Sequence, residues 1–151
     1  MDRTLERDKK WHWRYYDLAG EISKWSKDPS TKVGSVIVGN QGQVLSQGYN
    51  GFPRGLDDSE DLYNNREVKY DRTVHAEMNA IYNATRSGAS LDNSTMYVYG
   101  LPICHECAKG IIQVGIRNVV MEYREVSKKW AHSCELAEQF FDDCGVVRTY
   151  L

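Results

Sequence analysis

Cys104 and Cys107 stand three residues apart, directly after the β-type run Thr95 to Tyr99 and at the head of a helix-type run from His105 to Val114. No other feature of the chain restricts its fold as strongly. Two thiols at that spacing on a helix start can grip one ion without distorting the backbone, and the positive end of the helix dipole favours their ionised form. His75, in the stretch HAEMNA, also precedes a helix-type run and supplies a third donor of nitrogen or sulfur type. Three such ligands suit tetrahedral zinc with one position left for water, whereas a fourth Cys or His in a matching place would close the sphere and mark a structural site. His105 lies between the two cysteines, an awkward position for a ligand.

Glu77 then acquires a task, because zinc lowers the pKa of a bound water toward 7 and some group must take and redeliver the proton. Residues 75 and 77 of a helix start differ by about 200° around the axis, so both side chains cannot point along one line. That separation favours a shuttle over a ligand. An ordinary helix-start charge is the plain alternative. Backbone groups near Ala76 and Cys104, also at helix starts, are placed as preorganised donors to a substrate's developing charge.

The 151 residues are enough for one domain, 1–151, with a substantial core. Trp11, Tyr15, Leu18, Ile22 and Trp25 recur at helical spacing and predict a helix over about Lys9 to Trp25, packed through that stripe. VGSVIVGN and QVLSQGYN predict an antiparallel hairpin from Val33 to Tyr49, with Gly39, Asn40 and Gly42 in the turn. The polar stretch Asn50 to Arg72 is longer than structural connections need, which points to function or partial order. A helix at Val74 to Arg86, the strand at Thr95 to Tyr99, the helix at His105 to Val114, a strand at Arg117 to Glu122, a helix at Lys129 to Asp143 and a strand at Val146 to Tyr150 complete the series. Helices alternating with strands after a hairpin predict a three-layer α/β/α sandwich around a mixed five-stranded sheet.

The formal net charge of -2 and a pI near 6.1 argue against a nucleic-acid or membrane-surface partner. No apolar run approaches the roughly 20 residues that cross a bilayer, and MDRTLERDKK lacks the apolar core of a secretion signal, so a soluble cytoplasmic protein is expected. In a reducing compartment the cysteines read as a metal or redox site rather than a disulfide framework. Cys134 and Cys144 are expected to be small buried apolar residues, and His12 and His132 to be structural.

His75-Ala76-Glu77 with Cys104-His105-Glu106-Cys107 resembles the zinc-dependent cytidine deaminase superfamily, whose signature is H-x-E followed by P-C-x-x-C. One departure stands out: Ile103 separates Pro102 from the first cysteine. SKDPSTKVGSVIV, GYNGFPRG, KYDRTVHAEMNAI and CAKGIIQVGIRNVV, in that order, are similar to the deoxycytidylate deaminases. That resemblance implies hydrolytic deamination of dCMP to dUMP for thymidylate synthesis, activation by dCTP, inhibition by dTTP, and a homo-oligomer, with a hexamer favoured. It assigns Asn50 to the substrate sugar; a turn Asn is the plain alternative.

Ser26 to Lys32 carries hydroxyls and ammonium groups near the end of the first helix, so Ser26 and Lys27 are candidates for the substrate phosphate. Trp25 stands where relatives often have a basic residue, and Tyr123 and Arg124 could share the task. Effector residues are expected among Gly51, Arg54, Gly55 and Asn64, where the acidic run Asp57, Asp58, Glu60 and Asp61 could meet an effector's Mg2+. A solvated acidic loop is the plain alternative. A polynucleotide deaminase, a riboflavin-pathway or guanine deaminase, and a non-enzymatic zinc module remain as competing functions.

Overall fold

The structure, a computed structural model, describes residues 3–151, with side chains from Asp8 onward. The sheet has the order β2-β1-β3-β4-β5. β1 (Gly34–Val38) and β2 (Val44–Tyr49) form the hairpin, with an irregularity between Ile37 and Val38. Gly42 turns it at φ 83°, a conformation that glycine adopts without a Cβ penalty. β1 also pairs antiparallel with β3 (Thr95–Tyr99), while β4 (Asn118–Met121) and β5 (Val147–Tyr150) continue in parallel register. A mixed sheet covered on both faces is the expected sandwich.

Helix α1 (Arg3–Ser23) covers one face alone, burying Tyr16, Ala19 and Ile22 against Val36, Val38, Tyr97 and Val120. The predicted stripe is met at Ile22, which is buried, and at Tyr15, which packs against this cluster, but not at its other members. Trp11, Leu18 and Trp25 are 44%, 39% and 56% exposed. The reason is proximity: a Cβ on Gly34 would lie 2.0 Å from the Ala19 carbonyl oxygen and 2.7 Å from the Ser23 nitrogen. A helix so close to its strand admits Ala19, Gly20 and Ser23 beneath it and turns the large indoles outward.

Two short helices organise the polar stretch, α2 (Glu60–Asn64) and α3 (Arg66–Arg72). Tyr63 is their anchor; it is buried, stacks on Phe52 with ring centroids 4.1 Å apart, and its hydroxyl accepts from the Phe52 N–H. Asn65 accepts from the Val68 N–H and so caps α3. Then α4 (Ala76–Ser87), α5 (His105–Gln113) and α6 (Lys128–Cys144) follow on the other side of the sheet from α1. Their shared core joins Ala76, Ala80, Ile81, Ala108, Ile111, Ala137 and Phe141 to Ile37, Val98 and Val119. Cys144 is exposed rather than buried, and Cys134 is half-buried, which corrects their expected placement. His12 is structural, its Nδ1 lying 2.7 Å from the Tyr97 hydroxyl. Among the described residues no helix is long and apolar enough to cross a membrane.

Candidate active site

Two helix starts meet at one point. His75 is the N-cap of α4, and Cys104 is the N-cap of α5, where its sulfur accepts from the Cys107 N–H. Close packing fixes the first of these: a Cβ on Gly48 of β2 would come within 2.4 Å of the Ala80 nitrogen and 2.7 Å of the Ala76 oxygen. Only glycine lets α4 lie that near the strand. Asn79 then donates to the Tyr49 carbonyl at 2.8 Å, and the Ser46 hydroxyl to the Ala80 carbonyl at 2.6 Å. Just before α5, the residue inserted between Pro102 and Cys104 finds a place, since Ile103 is 3% exposed in the core.

His75 Nδ1 lies 3.4 Å from both Cys104 Sγ and Cys107 Sγ, and all three ligand atoms fall within 4.8 Å of one another. Tetrahedral zinc with Zn–N near 2.0 Å and Zn–S near 2.3 Å sets its N and S ligands about 3.5 Å apart. The donor set and its spacing therefore fit zinc. His105 is turned away, with Nδ1 2.7 Å from the Ser133 hydroxyl. Glu77, in the first turn of α4, is 4% exposed.

The protonation pattern follows from this crowding. The Cys104 thiol is pushed down to about 4, first by the hydrogen bond from the Cys107 thiol, against burial, and then by His75 and the Cys107 N–H. The Cys107 thiol is pushed up by donating that bond, by burial and by Glu77. His75 rises to about 9, chiefly through its hydrogen bond with Cys104. Burial pushes the Glu77 carboxyl up, the His75 charge only partly opposing it. A dication at this point competes with those protons for the same lone pairs.

A cavity of about 460 Å3 opens onto the cluster, lined by His75, Ala76, Glu77 and Cys104. That size suits a small-molecule substrate. Asn50 also lines it, with its side chain engaged: Oδ1 accepts from the Val33 N–H at 2.8 Å, and Nδ2 donates to the Thr31 carbonyl at 2.9 Å. Asn50 thus fixes the 26–33 loop to the end of β2.

The remaining sequence candidates lie off this cavity. Ser26 is buried and donates to the Asn50 carbonyl, and Lys27 pairs with Asp58 at 2.8 Å on the surface. Lys32 donates to the Ser26 carbonyl. Tyr123, 74% exposed, and Arg124 line a neighbouring cavity of about 470 Å3, which shares Pro102, Val126 and Cys134 with the first. Gly51 bridges to Val74, Arg54 donates to Asn83, Gly55 has φ 95°, and Asn64 ends α2. Among the residues that do line the cavity are Arg66, Lys69, Tyr70 and Thr73, none of which the sequence assigned to the substrate. Their spacing of three, four and seven is one face of a helix, but seven residues of polar chain give no apolar contrast by which to recognise it.

Comparison with known proteins agrees with this geometry. The family model for the cytidine and deoxycytidylate deaminase zinc-binding region matches residues 9–123. A deaminase from the luxG 3′ region of Aliivibrio fischeri is 38% identical over 144 residues, 94% of each chain. The deoxycytidylate deaminase of Pongo abelii is 36% identical over 151 residues, covering 94% of this chain and 81% of its own. Among solved structures, dCMP deaminase from the cyanophage S-TIM5, in complex with dCMP and dUMP, superposes with a TM-score of 0.72 at 25% identity, covering 100% of this chain and 99% of that one.

Proposed function

Because this chain belongs to the cytidine and deoxycytidylate deaminase family, we propose that it hydrolyses dCMP to dUMP and ammonia, with zinc held by His75, Cys104 and Cys107. The observation that carries this reading is the burial of Glu77, 4% exposed, in the same cavity as three ligand atoms that lie within 4.8 Å of one another. Zinc, when bound, supplies the Lewis acidity that ionises water near neutral pH. Glu77 accepts the water's proton and delivers it to ring nitrogen 3 as the water oxygen adds to carbon 4. It then carries the proton that lets the amino nitrogen leave as ammonia, and the carbon–nitrogen bond breaks. A carboxyl whose pKa is raised by burial is suited to both giving and taking a proton. Backbone N–H groups at the start of α4, next to Ala76, and at the start of α5 hold the base and its developing charge.

The same reading includes a cytoplasmic homo-oligomer, hexamer favoured, supported by the exposed aromatics Trp25, Tyr49 and Tyr82. It also includes activation by dCTP and inhibition by dTTP, which rests on the resemblance, with the effector's Mg2+ met by the acidic run Asp57, Asp58, Glu60 and Asp61, of which Asp58 pairs with Lys27. Ammonia release from dCMP, dCTP, cytidine and an RNA hairpin, each with and without added dCTP or dTTP, tests substrate and control together. Release from dCMP is expected. Preference for cytidine or the hairpin would overturn the substrate assignment.

A further inference from the structure

A nucleotide substrate needs a site for its phosphate, and the segment from which the sequence predicts one has its cations engaged elsewhere. Lys27 faces Asp58 at the surface, Lys32 donates to a backbone carbonyl, and position 25 is an exposed tryptophan. The cations that do line the cavity of His75, Glu77 and Cys104 come from α3. Resting on the deaminase reading above, we propose that Lys69 and Arg66 form the subsite that holds the 5′-phosphate of the substrate nucleotide.

Lys69 is built into its place. Its ammonium lies 2.9 Å from the Ser30 hydroxyl and 3.3 Å from Asp28 Oδ1. Asp28 is itself fixed, accepting from the Ser30 and Thr31 N–H groups at 2.9 and 3.1 Å and from the Ser30 hydroxyl at 3.1 Å. An ammonium has three N–H donors, and two partners leave one for a ligand. The side chain of Lys69 is 14% exposed, so its position is set before any ligand arrives.

Arg66, three residues earlier and so on the same helix face, is exposed and has no ion-pair or hydrogen-bond partner among the described residues. A guanidinium binds phosphate through two parallel N–H bonds, which an ammonium cannot do. One fixed point charge and one free fork together distinguish a phosphate dianion from a nucleoside hydroxyl. Tyr70 and Trp130, 49% and 43% exposed, line the same cavity and flank the approach with aromatic surface.

The test uses the zinc-loaded full chain and the ratio of kcat/KM for dCMP to that for deoxycytidine, with titration calorimetry of inorganic phosphate as a second readout. Arg66→Ala is the first variant, because an exposed side chain without a partner leaves the fold unburdened. A charge-assisted hydrogen bond lost on binding lowers the ratio by about tenfold or more. Phosphate affinity falls by a similar factor. Lys69→Met does the same, and Lys69→Arg, which keeps the charge, restores most of the preference; a purely structural lysine would shift both substrates alike. A ratio within about twofold of the parent in Arg66→Ala and Lys69→Met, or one that collapses instead in Lys27→Ala, overturns the assignment. Should the parent chain release no ammonia from dCMP, the deaminase reading falls, and calorimetry still decides the subsite: phosphate binding that disappears in Arg66→Ala sustains it, and unchanged binding refutes it.

Discussion

Replacing Glu77 with glutamine separates proton transfer from metal binding. The side chain is 4% exposed, and burial pushes its carboxyl pKa up, so a neutral amide of the same shape is no harder to bury than the acid. Folding stability in Glu77→Gln is therefore expected within about 1 kcal/mol of the parent. None of the three ligand atoms within 4.8 Å of one another is removed, so zinc stoichiometry is expected to be retained. Turnover loses its proton carrier, and a positioned acid/base group contributes about 10²- to 10⁴-fold, or roughly 3–5 kcal/mol of barrier. Ammonia release from dCMP and elemental analysis on the same preparation measure the two quantities side by side. A variant that keeps zinc and turns over within about tenfold of the parent would show that the proton travels by another route. A variant that loses zinc would make Glu77 a ligand and remove the basis for the shuttle.

Gly48→Ala places a Cβ within 2.4 Å of the Ala80 nitrogen, so α4 must move off β2 with His75 and Glu77. Denaturant titration is expected to show a loss of about 1–3 kcal/mol, accompanied by reduced zinc content. Cys107→Ser is expected to lose zinc, whereas Cys134→Ser, half-buried but outside the ligand cluster, keeps full stoichiometry by elemental analysis. Burial by itself would raise the Asp28 pKa, but the Ser30 and Thr31 N–H groups, the Ser30 hydroxyl and Lys69 together lower it. The stability it contributes is therefore present above the unfolded-state value of about 4 and lost as pH falls through the lower folded-state value. In acid titrations of unfolding, Asp28→Asn is expected to be less stable than the parent at pH 6 and to converge with it as pH falls below the lowered folded-state value.

Local chemistry was legible wherever a few residues determine it. His75, Cys104 and Cys107 are 29 and three residues apart in sequence, yet each stands at a helix start, and α4 and α5 pack together on one face of the mixed sheet so that their starts meet. The hairpin and β3 were equally legible, since β-branched runs and glycine turns are short-range signals. Helix α1 was recognised as a helix, but of its predicted stripe only Tyr15 and Ile22 pack inward. Ranking positions by apolar size selects Trp11, Leu18 and Trp25, whereas the contact is governed by how closely the helix approaches Gly34, and that selects Ala19, Gly20 and Ser23. Close approach is a property of two elements together and leaves no periodicity in either one.

The stretch from Asn50 to Arg72 shows the same limit acting on the site itself. Its composition reads as a loop because α2 and α3 bury a single large side chain between them, Tyr63, and are held instead by the Asn65 cap, the Phe52 stack and the Gly51–Val74 bridge. Each of those ties is a backbone, polar or aromatic contact, without the apolar repeat that marks a longer helix. The consequence reaches the function: α3 puts Arg66 and Lys69 on the cavity, while SKDPSTK, the more conspicuous basic segment, closes on itself through Asp28, Lys32 and Asn50. Cations cluster in the sequence of one segment, and cavity-facing cations are supplied by another. The lysines of the loop are held by their own partners, Lys27 by Asp58 and Lys32 by the Ser26 carbonyl, whereas the buried carboxylate of Asp28 fixes Lys69, 41 positions away, at the cavity.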